Sequence, residues 1–310
     1  MTEPSLRDIF GKFLVENGEK YKDLVVLDSD LSTSTRTYMF AEKFPKRFFN
    51  MGIAEQNMLG AAIGFAISEK IPVVSGFSIF TTGRAWEFIR IACHDNLNIK
   101  IIPTHSGIVG EDGSTHNALE DLSIMSTLPN LKVLVPSDEI ELVQILDYAL
   151  TTTGPFYIRI PRGWFPKIHK QGYTFSIGKP DVLKDGNDLC IIGTGYGSVL
   201  SNESVVHIEK ELGISLKVIN LASIKPIDQD ILIKELKNLK GIVIIEEHNI
   251  YCGFGSILAR IISEKISIPM RFVGIKESYG SSGTREQILD DLGLNIKNIN
   301  NQVKDLIRNS

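Results

Sequence analysis

The segment AEQNMLGAAIGFAIS, residues 54–68, decides the fold class. After its first turn nearly every side chain is apolar or small, a pattern that predicts a helix buried on most of its sides. Gly60 and Gly64 stand about one turn apart and leave a groove where another helix could approach closely. A buried helix of this kind is typical of a layered structure in which helices cover a sheet. Its first turn carries one acid, Glu55.

Short β-branched runs alternate with helix-length segments on both sides of this helix. This alternation is typical of parallel βαβ units with helices on both faces of the sheet. We therefore predict an α/β fold of two three-layer α/β/α domains with mostly parallel sheets, the second with an antiparallel edge. The runs are Leu24–Asp28, Val73–Ser75, Lys100–Pro103, Lys132–Val135, Phe156–Ile160, Leu189–Ile192, Leu216–Ile219 and Ile242–Ile245, with room for one more near Phe48–Asn50.

The length of 310 residues suggests two domains. The stretch between Gly163 and Asp188 is rich in glycine and proline and breaks the alternation of strands and helices. We therefore predict a first domain at residues 1–165, a linker at 166–187 and a second domain at 188–310.

Composition excludes several classes of function. The net charge of −4, without a block rich in Lys and Arg, argues against a nucleic-acid binder. No apolar run approaches the roughly 18 residues of a membrane helix, and no signal peptide opens the chain. The three cysteines are far apart, which argues against a disulfide framework or a zinc finger. We therefore expect a cytoplasmic protein that binds neither membranes nor nucleic acid.

Unusual residues cluster where the strands of the first domain should end. In open parallel sheets the ligand crevice lies beyond the carboxyl ends of the strands. Five such ends with acidic, aromatic, histidine or arginine side chains predict one small-molecule site. These ends are Asp28–Asp30, Gly52–Glu55, Gly76–Phe80, Thr104–Gly107 and Arg159–Arg162.

Glu55, Phe77 and Phe80 are candidate site residues. The helix dipole favours the ionised form of a first-turn carboxyl group, whereas burial favours its protonated form. The plain alternative is that Glu55 is a capping acid on a solvated helix end. Two phenyl rings could hold a flat heterocycle if they share a pocket with Glu55. Taken alone, they are ordinary core residues.

Residues 105–116, HSGIVGEDGSTH, hold two histidines, two acids and three glycines. A metal site is possible, but the spacing fits no standard zinc pattern, so we interpret this stretch as a polar substrate loop. Arg7, Ser34 and Arg162 could clamp a phosphate if they meet at one pocket mouth. The GTGYG stretch at 193–197 departs from the GxGxxG dinucleotide fingerprint.

Several of these segments resemble transketolases. GIAEQNMLGAAIGFA at 52–66, VGEDGSTHNALEDLS at 109–123 and LPNLKVLVPSD at 128–138 resemble their pyrimidine-binding domain. IVIIEEH at 242–248 and SYGSSGTREQILDDLGL at 278–294 resemble their C-terminal domain. Single-chain members carry a preceding domain whose GDG…N motif binds thiamine diphosphate through Mg²⁺. Since this motif is missing here, the chain resembles the C-terminal subunit of a split transketolase, with the metal and diphosphate ligands on a separate N-terminal subunit.

The resemblance also implies roles for individual residues. Glu55 would be catalytic and would hydrogen-bond the ring nitrogen of the cofactor's aminopyrimidine. Gly83 stands where the family has a third aromatic residue, so a wider pocket is implied. Other cofactor contacts would come from Asp30, Leu31, Phe77 and Phe80. The sugar substrate would be held by Arg7, Ser34, His105, Asp112, His116 and Arg162, with His116 also catalytic.

The implied activity is transfer of a two-carbon ketol unit from a ketose phosphate to an aldose acceptor. Burial of the small-residue helix suggests association as a heterotetramer with two copies of each subunit, and we expect a lone chain to self-associate. Three alternatives remain. One is the beta subunit of a 2-oxoacid dehydrogenase, where we do not recognise a GEDGxTH stretch. Another is a deoxyxylulose-phosphate-synthase-like enzyme, which is normally one chain of twice this length. The third is a non-catalytic homologue, against which the retained Glu55 and His116 argue.

Overall fold

Twelve strands form two sheets within residues 5–308, the part of the chain that the computed structural model describes. The strands are β1 (Leu24–Asp28), β2 (Phe48–Asn50), β3 (Ile71–Ser75), β4 (Lys100–Ile101), β5 (Lys132–Leu134), β6 (Phe156–Ile158), β7 (Asp181–Lys184), β8 (Leu189–Gly193), β9 (Leu216–Asn220), β10 (Ser223–Lys225), β11 (Ile242–Asn249) and β12 (Met270–Ile275).

The α-helices fill the intervals between these strands. They are α1 (Leu6–Lys20), α2 (Ser32–Thr35), α3 (Tyr38–Lys43), α4 (Glu55–Ile67), α5 (Ser78–Arg84), α6 (Trp86–His94), α7 (Asp121–Ser126), α8 (Glu139–Thr151), α9 (Tyr196–Leu212), α10 (Gln229–Leu236), α11 (Phe254–Ser263), α12 (Arg285–Asp291) and α13 (Ile296–Arg308). Among the residues described, no helix has the length and apolar character needed to cross a membrane.

The first sheet has the order β10-β5-β6-β4-β3-β1-β2, and every pair in it is parallel except β10 with β5. The second has the order β12-β11-β8-β9-β7, and only β7 runs antiparallel to its neighbour. All five residues of β1 are buried, as expected for a parallel strand covered on both faces. The predicted fold class and the antiparallel edge of the second sheet are confirmed.

Alternate residues of β1 show that helices cover both faces of the first sheet. Val25 and Leu27 belong to an apolar cluster that includes residues of α4, α6 and α7. Leu24 and Val26 belong to a second cluster that includes residues of α1 and α8. Because neighbouring side chains of a strand point to opposite faces, the two clusters lie on opposite sides of the sheet.

Strand β10 links the two halves of the chain. Its residues follow β9 in sequence, yet Ser223 pairs with Leu134 at the edge of the first sheet. The sequence analysis did not predict β7, β10 or β12. Strand β10 has only three residues and stops at a proline, so no periodic pattern announces it. Strand β7 lies within the predicted linker, 166–187.

Helix α4 packs one side on the first sheet and leaves the other side open. Its buried residues are only Glu55, Met58, Leu59 and Ala62, and Ile67 is 67% exposed. A Cβ atom added at Gly64 would meet nothing within 4 Å. The prediction of a helix buried on most sides is therefore wrong for the single chain. Apolar side chains of α4 project in all directions, but the rest of the chain covers only one side of the helix.

The carboxyl ends of β1, β3, β4 and β6 lie side by side at one edge of the first sheet. Pairing continues beyond the strands through single bridges, Phe77 with Thr104 and Ser106 with Pro161. These bridges hold the loops after β3, β4 and β6 against one another. The predicted strand-end residues therefore share one edge.

Candidate active site

Glu55 begins α4, and its carboxylate faces a cleft. The residue is 4% exposed, and both carboxylate oxygens accept hydrogen bonds of 3.1 Å from Nη1 of Arg84. The cleft has a volume of about 510 Å³ and is lined by Ile53, Ala54, Glu55, Gln56, Asn57 and Arg84. A carboxylate that is almost buried yet borders a cleft can meet a ligand with little competing water.

Arg84 connects Glu55 to the aromatic side chains. Its guanidinium carbon lies 4.2 Å from the ring centre of Phe80, and its side chain is half exposed. The sequence analysis did not select Arg84. The usable signal was spacing, since Phe80 and Arg84 stand four residues apart on α5 and so share one helix face.

Phe77, Phe80, His105 and His116 form one aromatic wall. The Phe77 and Phe80 ring centres are 6.1 Å apart with an interplanar angle of 19°, and His105 stacks on Phe77 at 3.8 Å. His116 meets both phenyl rings edge-on, at 5.3 Å from Phe80 and 6.0 Å from Phe77. A heterocycle stacked between the two phenyl rings would need their ring centres about 7 Å apart, because each stacking contact takes about 3.5 Å. The rings therefore offer one wall rather than a sandwich.

His105 is a neutral imidazole. Burial, together with the positive charges of Arg7 and Arg162, lowers the pKa of His105 to about 2. Nε2 lies 3.4 Å from Nη1 of Arg7, and Nδ1 lies 2.8 Å from the hydroxyl of Thr104. Because arginine only donates, Nε2 is the acceptor and Nδ1 carries the proton. His105 can therefore contact a ligand as a polar group but does not supply a proton.

The predicted phosphate-binding residues come together although they are far apart in sequence. Arg7 donates from Nη1 to the carbonyl oxygen of Ser34 at 2.8 Å and from Nε to that of Arg162 at 3.1 Å. Arg162 Nη1 lies 3.0 Å from Asp112 Oδ2, and the same oxygen is 3.9 Å from His105 Nε2. The structure thus places Arg7, Ser34, His105, Asp112 and Arg162 in one cluster.

This cluster has a surplus of positive charge. Burial, together with the charges of Arg36 and Arg162, lowers the pKa of Arg7 to about 10. Asp8 and Asp112 offset this effect only in part, and Asp8 is itself paired with Arg36 at 2.7 Å. An excess of guanidinium groups is the usual basis of phosphate recognition. The sequence analysis missed Arg36, which carries no local motif.

Asp30 and Leu31 lie in the loop after β1. The side-chain amide of Asn50 donates to Asp30 Oδ1 at 2.9 Å, and the backbone N–H of Leu31 donates to Asp28 Oδ1 at 2.6 Å. Asp28 is fully buried, and its carboxylate also accepts from Thr35 at 2.7 Å. Burial raises the pKa of Asp28. Asp28 therefore fixes the loop that presents the two predicted cofactor contacts.

The structure also bears on two other sequence features, the possible metal site and the GTGYG stretch at 193–197. Within residues 5–308, no group of three or more His, Cys, Asp and Glu side chains could hold a metal ion. In GTGYG, a Cβ atom at Gly193 would overlap the backbone of Gly197, and one at Gly197 would overlap that of Ile245. These two glycines therefore serve close packing of α9 on the second sheet.

Family comparisons match both halves of the chain. The model of the transketolase pyrimidine-binding domain matches residues 2–167, and that of the transketolase C-terminal domain matches residues 178–299. The chain belongs to the transketolase family. The resemblance seen in the sequence is thereby confirmed.

Similar transketolase sequences and structures cover nearly the whole chain. A Methanocaldococcus jannaschii protein, assigned by name to a transketolase C-terminal section, is 43% identical over 95% of this chain and 93% of its own length. An apulose-4-phosphate transketolase subunit of Actinobacillus succinogenes is 33% identical over 92% of each chain. A structure titled as an inactive beta4 tetramer of a split-gene transketolase is 39% identical, with a TM-score of 0.88 over 98% of both chains.

The comparisons also reach enzymes outside the transketolases proper. Several relatives are 1-deoxy-D-xylulose-5-phosphate synthases, and this chain spans about half of their length. Split subunits are thus matched end to end, whereas these longer enzymes are matched in part.

Proposed function

We propose that this chain is the C-terminal subunit of a two-subunit, thiamine-diphosphate-dependent transketolase. It would transfer a two-carbon ketol unit from a ketose phosphate to an aldose acceptor. The observation that carries the proposal is the almost buried carboxylate of Glu55, which borders a cleft and is joined through Arg84 to Phe80. When bound, thiamine diphosphate supplies a carbon nucleophile and then stores the negative charge that develops on the substrate.

The residues of this chain fit the pyrimidine end of the cofactor. Glu55 would hydrogen-bond the ring nitrogen and hold or release a proton there, since the cleft shields its carboxyl group from bulk water. Phe77 and Phe80 would contact one face of the ring, and Asp30 and Leu31 would line its edge. The ligands for the diphosphate and for Mg²⁺ would come from the N-terminal subunit.

The substrate would lie between the aromatic wall and the positive cluster. His105 and Asp112 would hydrogen-bond the sugar hydroxyls, with His105 acting as a neutral group. His116, at the rim of the wall, would exchange a proton with a hydroxyl group of the sugar. The sugar phosphate would be held by Arg7, Ser34 and Arg162, where the positive charge is in excess.

The open side of α4 would meet the partner subunit. Ile53 and Ile67 are 77% and 67% exposed there, and Gly64 leaves room for close approach. We propose a heterotetramer with two copies of each subunit, and self-association of the lone chain through the same surfaces. The free thiols of Cys93 and Cys190 are buried, which is consistent with our proposal of a reducing, cytoplasmic location.

The test is a ketol-transfer assay with thiamine diphosphate and Mg²⁺, using this chain alone, the N-terminal subunit alone and the two mixed. We expect turnover of ketose phosphates by the mixture only. Turnover by the isolated chain would overturn the split-subunit assignment.

A second candidate is synthesis of 1-deoxy-D-xylulose 5-phosphate, favoured by the 1-deoxy-D-xylulose-5-phosphate synthases among the relatives. The same mixture should be assayed for formation of this product. Its formation without ketol transfer would favour the synthase and contradict the transketolase proposal.

A further inference from the structure

The second domain holds the loop that carries three of the proposed substrate contacts. Residues 105–117 are called the substrate loop below. The backbone N–H of Ile108 donates to Oε1 of Glu247 at 2.8 Å. At the far end of the loop, the side-chain amide of Asn117 donates to the backbone oxygen of Tyr279 at 2.8 Å. Both acceptors belong to the second domain, so the loop is fixed from outside its own sheet.

Glu247 is itself fixed. It lies on β11 and is 3% exposed, and its Oε2 accepts from Nη2 of Arg285 at 2.7 Å. The guanidinium carbon of Arg285 lies 4.2 Å from the ring centre of Tyr196. The backbone oxygen of Glu247 also accepts from Nη2 of Arg159 at 3.1 Å. Because Arg285 holds one carboxylate oxygen and Arg159 holds the backbone, Glu247 has little freedom to follow a moving loop.

The loop approaches Glu247 and Arg285 closely through two glycines. Gly107 has φ +72°, and a Cβ atom there would lie 2.6 Å from the carboxyl carbon of Glu247. Gly110 has φ +78°, and a Cβ atom there would lie 3.2 Å from the backbone nitrogen of Arg285. Glycine permits both the backbone conformation and the approach.

The opposite side of the same stretch meets the positive cluster. The backbone oxygen of Val109, one residue after Ile108, accepts from Nη1 of Arg162 at 2.8 Å. Arg162 also pairs with Asp112 of the loop. A displacement of Ile108 would therefore shift the proposed phosphate and hydroxyl contacts together.

We propose that Glu247 is a positioning residue of the second domain. It sets the substrate loop through Ile108, and Arg285 holds its carboxylate in place. The C-terminal domain thereby controls binding of a phosphorylated sugar without touching it. This inference rests on the proposed function, because the role of the loop in substrate binding does.

The test compares Glu247→Ala with Glu209→Ala in the full chain. Glu209 is the control, since its carboxylate also accepts from one backbone N–H, that of Leu216, and from one cation, Lys184, neither of which belongs to the loop. In Glu247→Ala, hydrogen exchange of the amides at 105–117 should accelerate about tenfold, as for a lost hydrogen bond to a charged group. With the partner subunit, KM for the ketose phosphate should rise about tenfold, and kcat should fall by a smaller factor because His116 lies at the end of the loop that Asn117 still holds to Tyr279.

Glu209→Ala should change neither exchange at 105–117 nor KM. Glu247→Gln keeps the shape of the side chain and an oxygen that can accept from Ile108 but loses the ion pair with Arg285, so it should shift both readouts in the same direction, by about threefold. This second variant decides the matter if Glu247→Ala does not fold. Unchanged exchange, or a loss confined to kcat, would overturn the inference. Failure of the proposed function would appear instead as a wild-type mixture without ketol transfer.

Discussion

Two ion pairs of the first domain share their chemistry and differ in their surroundings. Asp121 and Arg159 are 2% and 4% exposed, and Asp121 Oδ2 accepts from Arg159 Nε at 2.7 Å and from the Tyr157 hydroxyl at 2.6 Å. In the pair of Glu55 with Arg84, the carboxylate is equally hidden, but its cation is half exposed and a cleft adjoins it. One pair is enclosed by protein, and the other lies at the edge of the molecule.

The difference separates an enclosed, structural pair from one that we propose to be functional. Burial, the largest single effect, would raise the pKa of Asp121. The positive charge of Arg159, the neighbouring His248 and the hydrogen bonds from Arg159 and Tyr157 together outweigh burial and lower that pKa. Removing one member of an enclosed pair leaves an uncompensated charge in the protein interior. The hydrogen bonds of Glu55 both come from Arg84, a side chain that can turn to solvent, so a ligand can replace it.

The largest effect is expected from Glu55→Gln. Glutamine keeps the shape of the side chain but cannot exchange a proton as a carboxyl group does. Turnover of the reconstituted enzyme should fall about 10³-fold, within the usual range for a lost general acid or base. The measurement is kcat in the ketol-transfer assay, with assembly checked by sedimentation. Glu19→Gln, at an exposed site on α1, is the control and should retain full turnover.

The next prediction compares how much Arg159 and Arg84 each contribute to the free energy of unfolding. Arg159→Met should lower the free energy of unfolding by about 3–5 kcal/mol, because it leaves Asp121 buried without its cation. Arg84→Met should lower it by no more than about 1 kcal/mol, because Arg84 is half exposed and solvent reaches the pair. Urea unfolding of both variants measures the two values. Equal losses would show that both pairs are structural.

A pH-dependent effect extends the comparison to His169, in the predicted linker. Burial would lower the pKa of His169, but hydrogen bonds to Asp138 and Asp181 and the charge of Glu141 raise it to about 10. A raised pKa stabilises the fold below the unfolded value of about 6.5, and the benefit disappears as the pH rises through about 10. His169→Asn should therefore destabilise the protein by about 4 kcal/mol more at pH 6 than at pH 10.

Urea unfolding at both pH values checks this prediction. The control is His207→Asn on the exposed side of α9, which should change the unfolding free energy by less than about 0.5 kcal/mol at either pH. A destabilisation by His169→Asn that is the same at both pH values would contradict the account of the linker.

The sequence predicted the elements whose pattern is local. The β-branched run at Leu24–Asp28 became a strand with the same bounds. The gap between Asp28 and Val73 left room for one more strand near Phe48–Asn50, and a strand lies there. Strand β10 could not be predicted, since its pairing with β5 depends on how the second domain docks. The open side of α4 was also missed, because an apolar pattern shows which side chains avoid water but not which chain covers them.

Prediction of the candidate site was limited in the same way, since local patterns were visible in the sequence and tertiary contacts were not. Its candidates came from strand ends and from the resemblance, and the structure groups Arg7, Ser34 and Arg162, which are up to 155 residues apart. Arg84 was missed although its spacing from Phe80 was visible in the sequence. Glu247 was not selected because its partner Ile108 is 139 residues away. Contacts made only by tertiary packing leave no motif in the chain.

The central claim is that the carboxylate of Glu55 contacts the pyrimidine ring of the cofactor. An experimental structure of the reconstituted enzyme with thiamine diphosphate and Mg²⁺ tests it most directly. The account expects one carboxylate oxygen of Glu55 at about 2.6–3.2 Å from the ring nitrogen, with the phenyl ring of Phe80 against the pyrimidine. A cofactor bound elsewhere, with Glu55 still paired to Arg84, would contradict it.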